Sequence, residues 1–120
     1  MHASTPMALY TVYIPLTDHE GQPVAPASLQ WTVNKIARFT GGCTLLPPGD
    51  GFWITNRQSY YDQVMPIQSV APVNAATATF FHGLADELAI LLAQREIFIH
   101  CTSVMTLAPQ PAWDTIEITL

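Results

Sequence analysis

Residues 39–70, FTGGCTLLPPGDGFWITNRQSYYDQVMPIQSV, decide the fold. Cys43–Leu46 reads as a short strand, and Pro47, Pro48, Gly49, Asp50 and Gly51 read as a turn. Phe52–Thr55 resumes as a strand, Asn56–Ser59 turns the chain again, and Tyr60–Ala71 runs back. Pro66 and Pro72 offer no ladder donor, so the returning strand is expected to be bent or partly at an edge. A β-hairpin therefore sits in the middle of the chain, and what flanks it sets the architecture.

Upstream, Ala8, Tyr10, Val12, Ile14 and Leu16 alternate with Leu9, Thr11, Tyr13 and Pro15, the period of a strand over Met7–Leu16. Thr17–Val24 is a turn built on Asp18 and Gly21. Pro26 suits the first turn of a helix, whose core face is Leu29, Val33, Ile36 and Ala37 and whose end falls at Thr40–Gly42, where a glycine takes the left-handed cap. Downstream, Asn74 is placed to cap a helix that runs to Gln94, with Phe81, Leu84, Ala85, Leu88 and Leu92 on one face. Phe80, Ile90 and Leu91 lie off that stripe, which suggests a partner subunit. Ile97–Leu107 is a strand apolar on both faces, which predicts a central position. After Pro109 and Pro111, Trp113–Leu120 alternates as a last strand that pairs with its own sheet or augments a neighbour's. The expectation is α+β: residues 1–6 a flexible tail, residues 7–120 one domain of ferredoxin-like βαββαβ order, two helices on one face of an antiparallel sheet, and an added C-terminal strand.

The chain has 120 residues, enough for an apolar core without metal or disulfide support. Its charged fraction is 11%, against about 25% in typical domains. So few charges leave apolar surface uncovered, which predicts self-association as a dimer or higher homo-oligomer. Nine acids face only Lys35, Arg38, Arg57 and Arg95, for a net charge of −5, so duplex nucleic acid and anionic membrane are poor partners. The N-terminus has no basic segment ahead of an apolar run, and no apolar run reaches the roughly 18 residues of a membrane span. A cytoplasmic location is expected. Cys43 and Cys101 have no CxxC spacing and read as reduced structural thiols ahead of the alternative, a disulfide.

The run Thr40-Gly-Gly-Cys-Thr after the first helix, Gly51-Phe-Trp, the hairpin with Tyr61-Asp62, and Gln94-Arg-Glu-Ile-Phe-Ile resemble a group of small uncharacterised ferredoxin-like proteins. In that group a GG-x-T loop, a G-x-W strand and a Q-x-x-hydrophobic element recur. The resemblance covers residues 7–107 and implies the fold; it implies no activity.

Several constellations bear on chemistry. His2, His19, His82 and His100 form no HxH or HxxxH pair, so no metal site and no cofactor are expected. His82 and Asp86, one helical turn apart, read either as an acid/base pair or as a surface hydrogen bond. The Gly41–Gly42 loop follows a helix instead of opening one; it reads as an anion nest or as a cap and turn. Trp31, Lys35 and Arg38 make a stripe on the first helix, either a cation-bearing partner surface or a solvated face. Trp53, Asn56, Arg57, Tyr60, Tyr61 and Asp62 concentrate aromatic area and polar tips in one hairpin, the composition of a contact surface.

These observations favour a non-enzymatic domain that binds a small, nucleotide-like molecule through the hairpin cluster and Gly41–Gly42 as a homo-oligomer. Two other readings stay open: a cofactor-free isomerase or oxygenase of the dimeric α+β barrel type with His82 or His100 as base, and a protein-interaction module acting through Trp31, Lys35 and Arg38.

Overall fold

The computed structural model describes residues 6–18, 20–94 and 96–104. Its elements are strand β1 (Met7–Pro15), helix α1 (Pro26–Thr40), strands β2 (Thr44–Leu45), β3 (Gly49–Thr55) and β4 (Gln58–Pro72), helix α2 (Ala75–Leu91) and strand β5 (Ile99–Val104). They form one five-stranded antiparallel sheet in the order β2-β4-β1-β5, with β3 also on β4. Both helices cover one side of the sheet, and the fold is ferredoxin-like α+β. The expected strand at 113–120 lies outside the described residues.

Period-2 alternation in β1 sends Ala8, Tyr10, Val12 and Ile14 to the helix side, where all four are buried. Register places Ala71 opposite Ala8 and Ile67 opposite Val12, so β4 continues the same apolar layer. α2 presents Phe81, Leu84 and Leu88 to this layer and α1 presents Ile36. The Tyr10 ring lies flat on Phe81, with centroids 4.3 Å apart. Burial raises the Tyr10 hydroxyl above its ordinary pKa, and the Cys101 thiol beside it adds to the rise. Thr32 is also fully buried in α1, a polar residue on the core face. Its hydroxyl donates to the Ser28 carbonyl at 2.8 Å, which removes the cost of burying it.

Local chemistry sets the element ends. Pro26 sits in the first turn of α1, and Gly41 at φ 96° closes the helix in the left-handed region, donating its N–H to Ala37 O at 2.8 Å. The Asn74 side chain accepts from the Thr77 N–H at 2.8 Å and caps α2. Asn74→Ala is expected to cost about 1 kcal/mol of stability in urea unfolding. A loss of only a few tenths would mean that tertiary packing alone sets where α2 begins. α2 ends at Leu91, short of Gln94, because Ala93 enters the left-handed region at φ 51°.

Two expectations need correction. Gly49–Gly51 do not turn the chain; they are already in β3. Leu45 pairs with Ile67 and Gly49 with Val64, so this edge advances four residues while β4 advances three. Pro47 and Pro48 thus occupy a one-residue bulge in a continuing edge strand, which suits residues without a ladder donor. Nor does β5 lie centrally among the described residues. Among the described residues it pairs only with β1, at the sheet edge, and its residues 100–103 are exposed. Its apolar residues looked central because both faces carry them, but the helices lie over β1 and β4.

Candidate functional site

The side of the sheet away from the helices is built from the odd-numbered residues of β1 and their neighbours. Gln68, Thr11 and His100 lie opposite one another across β4, β1 and β5. The adjacent row on the same side is Pro66, Tyr13 and Phe98, the last tied in by the Tyr13 N–H donating to Phe98 O at 3.1 Å. A polar row therefore runs beside an aromatic one, about 7 Å apart by the two-residue repeat of a strand. The Gln68 amide donates to Thr11 Oγ1 at 3.4 Å, and His100 Nε2 is 3.1 Å from Thr102 Oγ1. Thr11 is buried in the row, while His100 and Thr102 reach solvent.

Beyond Val64 the hairpin leaves the body of the sheet. β1 pairing ends at Pro15↔Val64, the Leu16 N–H still donates to Gln63 O at 2.9 Å, and among the described residues only β3 accompanies β4 from Asp62 to the tip. A bare two-stranded ribbon is marginal in water, so side chains must hold it. Trp53 supplies much of that hold. It leans back over Gly51 and donates its indole N–H to Asp62 Oδ1 at 2.8 Å. Its ring meets Phe98 at 5.9 Å, and Phe98 meets Tyr13 at 5.5 Å. Gly51 leaves room for this contact: a Cβ here would collide with the Asp62 carboxylate and come within 2.8 Å of the indole nitrogen, so these side chains would have to move. Trp53, Phe98 and Tyr13, brought from three different segments, thus make one aromatic cluster with tilted rings.

The residues singled out from sequence are distributed as follows. Trp53 and Tyr60 are direct partners across the ribbon, and Asp62 lies on the same side two residues on. The Tyr60 hydroxyl donates to Gln58 Oε1 at 2.5 Å. Tyr61 points to the other side, where it meets Phe52 at 4.8 Å. Asn56 and Arg57 form the two-residue tip, both in the left-handed region at φ 50° and 65°. Asn tolerates that backbone; an arginine there carries strain of about 1 kcal/mol or more. Gly41 caps α1, whereas Gly42 lines a groove of about 320 Å³ with Leu9, Cys43, Thr44, Gln68, Ser69 and Val70. Gln68 links that groove to the polar row. Trp31, Lys35 and Arg38 lie apart from all of these, on the face of α1 that borders α2, where Lys35 pairs with Glu87.

Tyr13 and Phe98 belong to the cluster but carry no local signal of it. Their strand pattern shows only that they share a side with apolar neighbours; the register that joins them to Trp53 is tertiary. His82 is exposed on α2, across the sheet from His100, and among the described residues no hydrogen bond joins it to Asp86. Among the described residues no group of three or more His, Cys, Asp or Glu side chains is arranged to hold a metal ion. Cys43 and Cys101 are free thiols, and burial raises the Cys43 pKa, which keeps its thiolate scarce. No helix among the described residues is long and apolar enough to cross a membrane.

No protein-family model matches the chain, and no curated protein matches it in sequence. Solved structures do resemble it. A phage SAM lyase in complex with S-methyl-5'-thioadenosine aligns over 88% of this chain and 95% of its own, with 10% identity and TM-score 0.63. The divalent cation tolerance protein CutA1 of Thermus thermophilus aligns over 85% of this chain and 87% of its own, with 9% identity and TM-score 0.60. CutA1 of Oryza sativa aligns over 88% and 85%, with 7% identity and TM-score 0.59. The likeness is one of fold, to small ferredoxin-like α+β proteins.

Proposed function

We propose that this chain is a non-enzymatic binding domain that assembles with copies of itself and holds a small, nucleoside-like molecule on the side of the sheet away from the helices. The observation that carries the reading is the convergence of Trp53, Phe98 and Tyr13 beside the row Gln68, Thr11 and His100. Tilted rings leave faces on which a planar base can stack, and the polar row offers hydrogen bonds to a sugar or to base edges. Tyr60 and Asp62 border the rings, and Gly42 borders the polar end through its groove with Gln68. Asn56, Arg57 and Tyr61 are placed at the tip and on the reverse of the ribbon, where a ligand in a neighbouring copy would meet them. The phage SAM lyase binds a thionucleoside on a similar fold, which agrees with the choice of ligand class.

The ribbon supports self-association. Tyr61 is 80% exposed and Ile54 69% exposed, on a two-stranded arm with Phe52 beside them. Contiguous apolar surface on such an arm is best covered by a second copy. Light scattering should return a mass above that of one chain.

A thermal-shift series against adenosine, guanosine and their monophosphates tests the ligand. A molecule present at a hundred times its Kd adds about 2.7 kcal/mol to the native state and raises the midpoint accordingly. The rise is expected with at least one nucleoside and should vanish in Trp53→Ala. No rise with any of them, or an equal rise in Trp53→Ala, contradicts the reading.

The position of His100 in the polar row supports a second reading, a cofactor-free isomerase or oxygenase with His100 as base. Turnover that is lost in His100→Ala while ligand binding persists would select it.

A further inference from the structure

The helix side of the molecule carries another concave region, independent of the ligand site on the far side of the sheet. Between α1 and α2 a groove of about 610 Å³ is lined by Trp31, Asn34, Lys35, Arg38, Phe39 and Phe80. Two of the chain's four basic residues are here, in a protein of net charge −5. Their circumstances differ. Lys35 Nζ donates to both Glu87 carboxylate oxygens at 2.7 Å and stands 4.9 Å from the Trp31 ring. Its charge is matched and its position held. Arg38, one turn further along α1, has no hydrogen-bond or ion-pair partner among the described residues.

The walls around Arg38 are aromatic. Phe39 and Phe80 stack at 4.0 Å with planes 1° apart, and Phe39 and Trp31 both remain partly open to solvent. Asn34 Oδ1 already accepts from the Gln30 amide, so the Asn34 NH₂ is the group left to donate. One unmatched guanidinium, one amide donor and flat apolar walls define the complementary molecule. It carries a single carboxylate for Arg38 and Asn34, and a ring that lies along Phe39 or Trp31. A second negative charge is disfavoured because Glu87 lies beside Lys35 at the groove's edge. The same repulsion disfavours an acidic polypeptide or another copy of this acidic chain.

We propose that the α1–α2 groove is a binding site for a small aromatic monocarboxylate, with Arg38 as its anion-binding residue. Calorimetric titration of the intact protein with indole-3-carboxylate, benzoate and the uncharged indole-3-carboxamide tests it. Saturable binding of at least one carboxylate is expected. Arg38→Gln should weaken it roughly tenfold or more, the effect of losing a charge-assisted hydrogen bond, and the carboxamide should be weaker by a similar factor. Arg38 is exposed, so the variant should keep the circular dichroism of the parent. Trp53→Ala should bind the carboxylate unchanged, which separates this site from the nucleoside site. Equal binding of carboxylate and carboxamide, unchanged affinity in Arg38→Gln, or no saturable carboxylate binding would overturn the proposal. So would an acidic peptide that binds through Arg38 where the small acids do not, which would make the groove a protein-docking surface.

Discussion

Leu84→Ala is expected to lower the stability of the folded chain by about 2–5 kcal/mol, the range for emptying a leucine site in a closed core. Leu84 is fully buried and belongs with Leu88, Phe81, Ile36, Ile67 and Val12 to the cluster between sheet and helices. The expectation is at the large end because, beside the Phe39–Phe80 stack and the exposed Lys35–Glu87 pair, the buried face is the main hold on α2. It has no acidic residue in its first turn and no basic residue in its last, so its dipole is uncompensated at both ends. Beside the Asn74 cap and its contacts with α1, most of its stability comes from the face it buries. Urea unfolding should show the midpoint falling with an unchanged slope. A loss under about 1 kcal/mol would mean that the site collapses freely and that α2 does not seal the core.

Gly51→Val is expected to have the second largest effect, and it falls on stability and binding together. At Gly51 a side chain from the same strand, Trp53, and a carboxylate from the partner strand, Asp62, both fold over the backbone. A valine there must push the Trp53 indole and Asp62 aside, at a cost of about 1–3 kcal/mol typical of overpacking. The 2.8 Å indole–carboxylate bond breaks, and with it the approach of Trp53 to Phe98. Chemical denaturation should register the first effect, and loss of nucleoside-induced thermal stabilisation the second. A Gly51→Val protein that keeps both would show that Trp53 does not depend on this space.

The framework was legible because its signals are local. The alternation through Ala8, Tyr10, Val12 and Ile14, the Gly41 cap, the Asn74 cap and the Phe81–Leu84–Leu88 stripe each need only a few neighbouring residues to be read. Misreadings occurred where tertiary pairing overrides composition. Pro-Pro-Gly-Asp-Gly has turn chemistry, yet β4 supplies partners that carry the edge strand through it with a bulge. β5 is apolar on both faces, yet among the described residues it pairs only with β1, a matter of tertiary pairing that its own pattern does not carry. The candidate site was legible in part. Trp53, Tyr60 and Asp62 stand out within one hairpin, and register puts them on one side. Tyr13 and Phe98 could not be added without knowing that β1 lies between β4 and β5, a relation between segments some fifty and ninety residues apart that no local pattern encodes.

Whether Trp53, Phe98 and Tyr13 form a seat for a planar nucleoside can be decided by one measurement. A chain carrying Trp31→Phe and Trp113→Phe keeps Trp53 as its only tryptophan, since the sequence has three. Titrating it with adenosine while following indole emission reports on the proposed seat alone. The expected result is a saturable change in Trp53 emission that disappears when Phe98→Ala is added. Emission that stays flat across the titration, or a change that survives Phe98→Ala undiminished, would contradict it.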